Sequence, residues 1–450
     1  MATDRGKILV DSIRRLLRRG SVIHLRKIVN KTHAADLAMV FLSLPYSDQR
    51  RLFDMIDSIE KKGILFSTLD ESIVPSLIDK LNLDDVVEVF HYMPSDDVAA
   101  ILGLLTEDKA NAILEKMDKE GSEEVEDLLT YQENTAGAIM LPDFVALNET
   151  STARDAIEAL QSEYIDVEMP FYLYVVDEYK RLVGVISLRQ LVVVPPHTPL
   201  KEFMVTDVYA VTTDTHQEDV AKIVARYDFL AVPVVDETNT LVGIVTVDDV
   251  IDVFREEATE DILKMAGVGE TFVETQSVWR STKTRLPWLF ASCLGGIAAF
   301  FIIGYFEDAL SKFAYIAAFI PVIMGMGGNI GTQSSTIVVR GLATNRLNVS
   351  DLGVVVFKEL AVGLILGMFY GLLIATVAQV RYNTLGFAFS VGVAVLASMS
   401  VAALVGSMIP MTFARIKVDP AVATGPFVTT SIDILSVSIY FIIATAMLEI

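Results

Sequence analysis

Asp433 is a carboxylate set in an apolar C-terminal stretch long enough to cross a bilayer. An ionisable group at that depth costs about 3 kcal/mol to insert, which marks it as functional. Thr429, Asp433, Ser436 and Tyr440 follow at i, i+4, i+7 and i+11, a spacing that puts them on one helix face. The plain structural alternative is a carboxylate neutralised by a base on another apolar segment. Arg340 and Lys358, however, lie toward the ends of theirs, and no Lys or Arg stands near midplane. Asp433 is expected to be the one negative charge near midplane and to serve an ion or a proton. A second stretch, Pro321 to Ser335, carries neutral side-chain oxygens at Asn329, Thr332, Gln333, Ser334 and Ser335. Its glycines, Gly325, Gly327, Gly328 and Gly331, permit either close helix approach or unwound backbone. Gly425-Pro426, just after Asp419-Pro420, predicts a helix break whose freed carbonyls face a pore.

These residues need spans to position them. Five apolar segments, at about 286 to 306, 313 to 339, 353 to 380, 385 to 411 and 421 to 448, each meet the requirement of about 20 residues. The longer ones must tilt. Arg280, Lys283, Arg285, Arg340, Arg346, Arg415 and Lys417 flank one side of the spans, against Lys312 and Arg381 on the other. The positive-inside rule then puts the soluble half in the cytoplasm and the C-terminus outside.

The 450 residues have a mean hydropathy of +0.47 although 21% are charged, a mixture that needs two solvents. Residues 1 to 285 hold 29 Lys/Arg and 51 Asp/Glu, and residues 286 to 450 hold 7 and 7, so the soluble half carries the whole net charge of −22. Such a surface repels nucleic acid and anionic lipid and concentrates cations. Cys293 is the single cysteine, so no intrachain disulfide forms. Arg14, Arg15, Arg18 and Arg19 sit on an amphipathic stretch without the apolar core of a signal peptide.

Residues 1 to about 130 read as helices, and Asp36, Phe41, Pro45, Asp48 recur as Asp85, Phe90, Pro94, Asp97, which predicts helix pairs stacked in a superhelix. A stronger duplication follows. YVVDEYKRLVGVISLRQL (174 to 191) returns 59 residues later as PVVDETNTLVGIVTVDDV (233 to 250), each copy reading strand, turn, strand, helix. Met140-Leu-Pro-Asp and Met204-Val-Thr-Asp open the two units. Residues 131 to 255 thus resemble a tandem pair of α/β CBS domains, a fold that takes adenine nucleotides in the cleft between repeats. A connecting helix over 256 to 280 leads to the membrane domain, 281 to 450.

One carboxylate with neutral oxygens suits a cation that keeps its water. Magnesium dehydrates reluctantly and is held through one or two carboxylates, whereas calcium gathers six to eight oxygens. Two chains face to face would bring two Asp433 carboxylates to one divalent ion. Monovalent cations stay open on this reasoning.

The order of helical N-domain, paired CBS domains, connecting helix and five spans, with the run Gly327-Gly-Asn-x-Gly-x-Gln333 and the stretch from Asp419-Pro to Asp433, resembles the MgtE family of magnesium channels over essentially the whole chain. The resemblance implies a homodimeric, Mg2+-selective channel of the cell membrane. Asp433 matches the family's selectivity aspartate, with Gly328, Asn329, Gln333 and Thr429 along the ion path. It further implies that intracellular Mg2+ closes the channel at acidic clusters. Type matches fall on Asp84 and Glu88 in the N-domain, on Glu218, Asp228, Asp249 and Asp252 in the second CBS domain, on Glu257, Glu260 and Asp261 in the connecting helix, and on Asp419. His216 stands where the family has an acid, and the region around Arg51 also departs. Two other readings compete: a cation-coupled divalent-metal transporter, and a CBS-type nucleotide sensor anchored in the membrane. No nucleophile, catalytic dyad or Cys/His metal spacing argues for an enzyme.

Overall fold

The computed structural model describes residues 2–70, 73–162, 172–268, 278–344, 346–422 and 424–448. It divides into two compact units, Met1–Arg255 and Glu256–Ile450.

The first unit opens with helices α1 (Ala2–Arg19), α2 (Val22–Lys31), α3 (Ala34–Leu42), α4 (Tyr46–Phe53), α5 (Ile59–Thr68), α6 (Val74–Ile78), α7 (Leu83–Phe90), α8 (Ser95–Gly103), α9 (Glu107–Leu114) and α10 (Lys119–Leu129). Alternate helices pack on one another, α3 on α5, α5 on α7, α7 on α9 and α8 on α10, which is the stacked array that the repeat predicts. Phe41 and Phe90 are buried at equivalent places, and Pro45 and Pro94 stand as N-caps of α4 and α8. Proline lacks a backbone donor, so it is well tolerated at the boundary of a helix.

Two three-stranded sheets follow, β1 (Ala146–Asn148), β2 (Tyr172–Val176) and β3 (Leu182–Ser187), then β4 (Val211–Thr212), β5 (Ala231–Val235) and β6 (Leu241–Thr246). Helices α11 (Ala153–Ser162), α12 (Leu188–Val193) and α13 (Gln217–Tyr227) accompany them. In each sheet the middle strand pairs parallel to the first and antiparallel to the third, with an irregularity after Val175 in one and after Val234 in the other. The duplication is therefore structural down to its bulges. The opening segments, however, are exchanged: Leu141 bridges to Ile244 on β6, and Val205 bridges to Val185 on β3. Met140 lies over Gly243 and Met204 over Gly184, so close that a side chain at either glycine would overlap the methionine sulfur.

Helix α14 (Val247–Met265) starts inside the second repeat and continues without interruption past Glu256, so the connecting helix is the extension of a CBS helix. The rest of the connecting stretch, 269–277, lies outside the described residues. The second unit then holds α15 (Val278–Tyr305), α16 (Glu307–Lys312), α17 (Ile320–Ala343), α18 (Leu352–Tyr382), α19 (Leu385–Arg415) and α20 (Pro426–Leu448). Among the described residues five helical segments are long and apolar enough to span a membrane: Ser281–Tyr305, Ala314–Ala343, Val349–Tyr382, Leu385–Arg415 and Pro426–Leu448. Helix α19 is central, packing on α17, α18 and α20. Its seam with α18 is built on Gly363, Gly367 and Gly371, where a Cβ would meet α19 atoms at 2.6–2.9 Å. Small residues there let two backbones approach, the usual basis of helix association in lipid.

Candidate ion site and acidic clusters

Helix α20 runs from Pro426 to Leu448, so Asp433 sits about two turns inside it, about one turn short of its middle on the side that follows Arg415 and Lys417. The carboxylate is half-buried, and among the described residues no hydrogen bond or ion pair engages it. Its Oδ1 lies 3.8 Å from where a Cβ on Gly328 of α17 would stand. Gly328 thus leaves room at the carboxylate that any other residue would narrow. Asn329, Thr332 and Gln333 of α17 are exposed on this single chain. Side-chain amides do not face acyl chains without loss, so such a face needs water or another protein surface.

Structure selects between two alternatives and corrects two expectations here. Helix α17 is continuous from Ile320 to Ala343, so its glycines serve close approach: a Cβ on Gly331 would overlap Ile432 of α20, and one on Gly327 would overlap Ser436. The polar face of α20 is not one aqueous stripe. Ser436 accepts a hydrogen bond from Ser398 of α19 at 2.7 Å, and the Tyr440 hydroxyl donates to the Ile316 carbonyl at 2.9 Å; both side chains are buried and hold helices together. Thr429 donates to the Gly425 carbonyl at 3.1 Å, which occupies a carbonyl expected to face the pore.

A second carboxylate lies within a span, away from its middle. Glu359 lies about two turns inside α18. It is 7% exposed and accepts a hydrogen bond from Ser334 of α17 at 2.7 Å. Its sequence signal was an acid in an apolar segment, weaker than that of Asp433 because Lys358 stands beside it.

The acids matched by type scatter. Asp84 pairs with Lys116, Glu218 with Lys222 at 3.0 Å, and Asp252 with Arg255 at 3.1 Å. Glu88 lines an open cavity of about 410 Å3 with Asp84, His91 and Asp118, and Asp228 is the left-handed C-cap of α13. His216 caps α13, its Nδ1 accepting from the Glu218 N–H at 3.3 Å. Arg51 pairs with Asp48 at 3.7 Å. Glu257, Glu260 and Asp261 lie along α14. Lys264 there bridges Glu260 at 2.5 Å and Asp419 at 2.7 Å. Burial works against that ammonium, but its hydrogen bonds to Asp419 and Glu260 win and raise its pKa. A Cβ on Gly267, which stands at φ +66°, would lie 3.2 Å from Pro426, so the end of α14 is seated on the start of the helix that carries Asp433. Among the described residues no three Asp, Glu, His or Cys side chains are arranged to hold a metal ion.

One cluster stands apart within the first unit. Asp96 of α8 is 8% exposed, and its Oδ1 has no hydrogen-bond partner. Burial, with the charges of Asp249 and Asp97, pushes its carboxyl up to about 8. Asp249 of α14 is raised to about 7 by burial and by Asp248 and Asp97, although the Thr246 hydroxyl opposes this. Asp97 is raised by burial and by Asp248 and Asp252, against a hydrogen bond from Ser67. Carboxyls of the helical array and of the second CBS repeat thus press on one another with no base between them. Asp96 and Asp97 escaped the sequence reading, although Asp97 closes the helical repeat.

Three family models match: the MgtE divalent cation transporter over residues 320–443, the MgtE intracellular N domain over 32–134, and the CBS domain over 136–196 and 200–256. The magnesium transporter MgtE of Bacillus subtilis is 34% identical over 434 residues, 96% of both chains. Its namesake from Thermus thermophilus is 35% identical over 450 residues, 98% of this chain and 99% of the relative. Among solved structures, the cytosolic domain of the Mg2+ channel MgtE in complex with ATP is 35% identical with a TM-score of 0.51, covering 54% of this chain and 99% of that one.

Proposed function

Because this chain belongs to the MgtE family of magnesium transporters, with N-terminal cytosolic domains and a multi-pass membrane domain, we propose that it is a Mg2+ channel gated by Mg2+ itself. The observation that carries the reading is the unengaged Asp433 carboxylate at Gly328. A hydrated divalent ion needs charge without dehydration, and one or two carboxylates supply it. Two copies with their Asp433 faces opposed would place the exposed Asn329, Thr332 and Gln333 along a shared water path, with Thr429 at its cytosolic end, and would remove those amides from lipid.

Closure follows from the clustered acids. Asp96, Asp97, Asp248 and Asp249 repel as they ionise, and divalent ions entering between them favour the compact arrangement. The acids on α14 and Asp419, with Lys264 already bridging two of them, extend the same logic toward the pore helix. Asp84, Glu88, Glu218 and Asp228 are further candidates for ion contact. The ATP complex of a relative's cytosolic domain supports an adenine nucleotide as a second ligand, in the cleft between the CBS repeats. Current through the full chain in a lipid bilayer tests the reading. A Mg2+ gradient alone should drive current that high cytosolic Mg2+ suppresses; a requirement for counter-ion would instead establish coupled transport.

A further inference from the structure

The soluble half is acidic, but its first 31 residues are not. They hold nine Lys/Arg against two Asp/Glu, while residues 32 to 285 hold 20 against 49. These cations are fixed on a folded surface. Ile13 and Leu17 of α1 and Leu25 and Val29 of α2 are buried in the core of the helical array, so α1 and α2 form a packed hairpin. Arg14 and Arg26 are used in holding it to the array, on the Ser43 carbonyl and on Asp57. Arg15, Arg18, Arg19 and Lys27 are exposed and form no ion pair among the described residues. At the hairpin tip, between Arg19 and Arg26, Val22 is 50% exposed and Ile23 82% exposed.

From this juxtaposition we propose that the α1–α2 hairpin is a docking surface for the anionic headgroups of the membrane in which the protein resides. Two apolar side chains flanked by unpaired cations match the headgroup boundary of a bilayer, which offers phosphate to the cations and acyl carbon to Val22 and Ile23. An acidic protein surface would satisfy only the cations. The five spans tether the hairpin to a bilayer, so the local concentration of lipid is high and weak individual contacts suffice. The acidic remainder of the cytosolic half is repelled by the same leaflet, which leaves this hairpin as the basic exception.

The test uses the full chain in lipid nanodiscs. His24→Cys, in a Cys293→Ser background because Cys293 is exposed, carries a fluorophore, and nitroxide-labelled headgroups quench it. In discs with about 30% anionic lipid and about 0.1 M salt, quenching should exceed that in neutral discs by at least about threefold, and it should fall to the neutral level near 1 M salt, where charges are screened beyond about 3 Å. Arg15→Gln/Arg18→Gln/Arg19→Gln/Lys27→Gln should abolish the difference, and the matching Arg→Lys set should keep it. Val22→Ser/Ile23→Ser should reduce quenching with every cation in place. Equal quenching in neutral and anionic discs would overturn the proposal. So would salt-sensitive shielding of the label in lipid-free detergent, which would put an acidic protein surface in the place of lipid.

Discussion

Replacing Asp96 by Asn should make the cytosolic unit more stable without Mg2+ and less responsive to it. An acid raised on folding has a definite sign of linkage: the unfolded chain releases its proton first, so stability is intact below the unfolded pKa and is lost as pH rises toward the folded one. For Asp96 the window runs from about 4 to about 8. A rise of about four units corresponds to about 5 kcal/mol as a ceiling, and water entry and local relaxation should leave about 2 kcal/mol of it. Asparagine keeps the shape of the side chain and removes this loss.

The assay is amide hydrogen exchange along α8 in the full chain. In Mg2+-free buffer at pH 8 the variant should exchange about 30-fold more slowly, the equivalent of about 2 kcal/mol of local opening, and the gain should shrink as pH approaches 4. Mg2+ should protect wild-type α8 strongly at pH 8 and weakly at pH 6, where protons compete at Asp96 and at Asp249, itself raised to about 7. The variant should respond less at both. If Asp96→Asn exchanges like wild type without Mg2+ and gains the same protection with it, the carboxyl cluster does not take up the ion.

Asp433→Asn should lower Mg2+ flux at least about tenfold while insertion and dimerisation persist; normal Mg2+ current would make the carboxylate structural. Deleting residues 1 to about 130 removes Asp96 and Asp97, so high cytosolic Mg2+ should inhibit the remaining channel less, as dose–response recording would reveal. Lys264→Met leaves Glu260 and Asp419 facing each other unneutralised; a loss of about 1 kcal/mol should appear as faster exchange at the end of α14, partly restored by Mg2+. Glu359→Gln keeps an acceptor for Ser334 and should melt in detergent as wild type does, whereas Glu359→Ala strands a buried hydroxyl and should lose about 1–2 kcal/mol.

What was legible in the sequence was whatever a one-dimensional pattern encodes. Span count follows from apolar length, and the CBS pair from a 59-residue repeat whose Asp177 and Asp236 fold the same turn, each accepting two backbone N–H bonds at 2.8–3.0 Å. Asp433 was legible because a charge in an apolar helix is anomalous in any fold. Exchange of Met140 and Met204 between the two sheets was not, because either sheet offers a glycine at the receiving position and only the tertiary path decides. The face shared by Asp433, Ser436 and Tyr440 failed for a related reason. Periodicity puts side chains on one side of a helix, but the neighbouring helices decide which of them meet water, and here Ser398 and the Ile316 carbonyl claim two.

Asp96 shows the same boundary from the acidic side. In sequence, Asp84, Asp85, Asp96, Asp97, Asp248 and Asp249 are equivalent helix-start acids, each well placed at the positive end of a helix dipole. Three-dimensional placement separates them: Lys116 engages Asp84, whereas α14 brings Asp248 and Asp249 to Asp96 and Asp97 with no base between them. A pair neutralised by lysine gains little from Mg2+, because the ion must displace an existing cation; a buried carboxyl with an unpartnered oxygen gains the most. Divalent control should therefore concentrate where the array meets the second CBS repeat. Neutralising Asp84 should shift the inhibitory Mg2+ concentration far less than neutralising Asp96, and equal shifts would return the sensing role to the whole acidic surface.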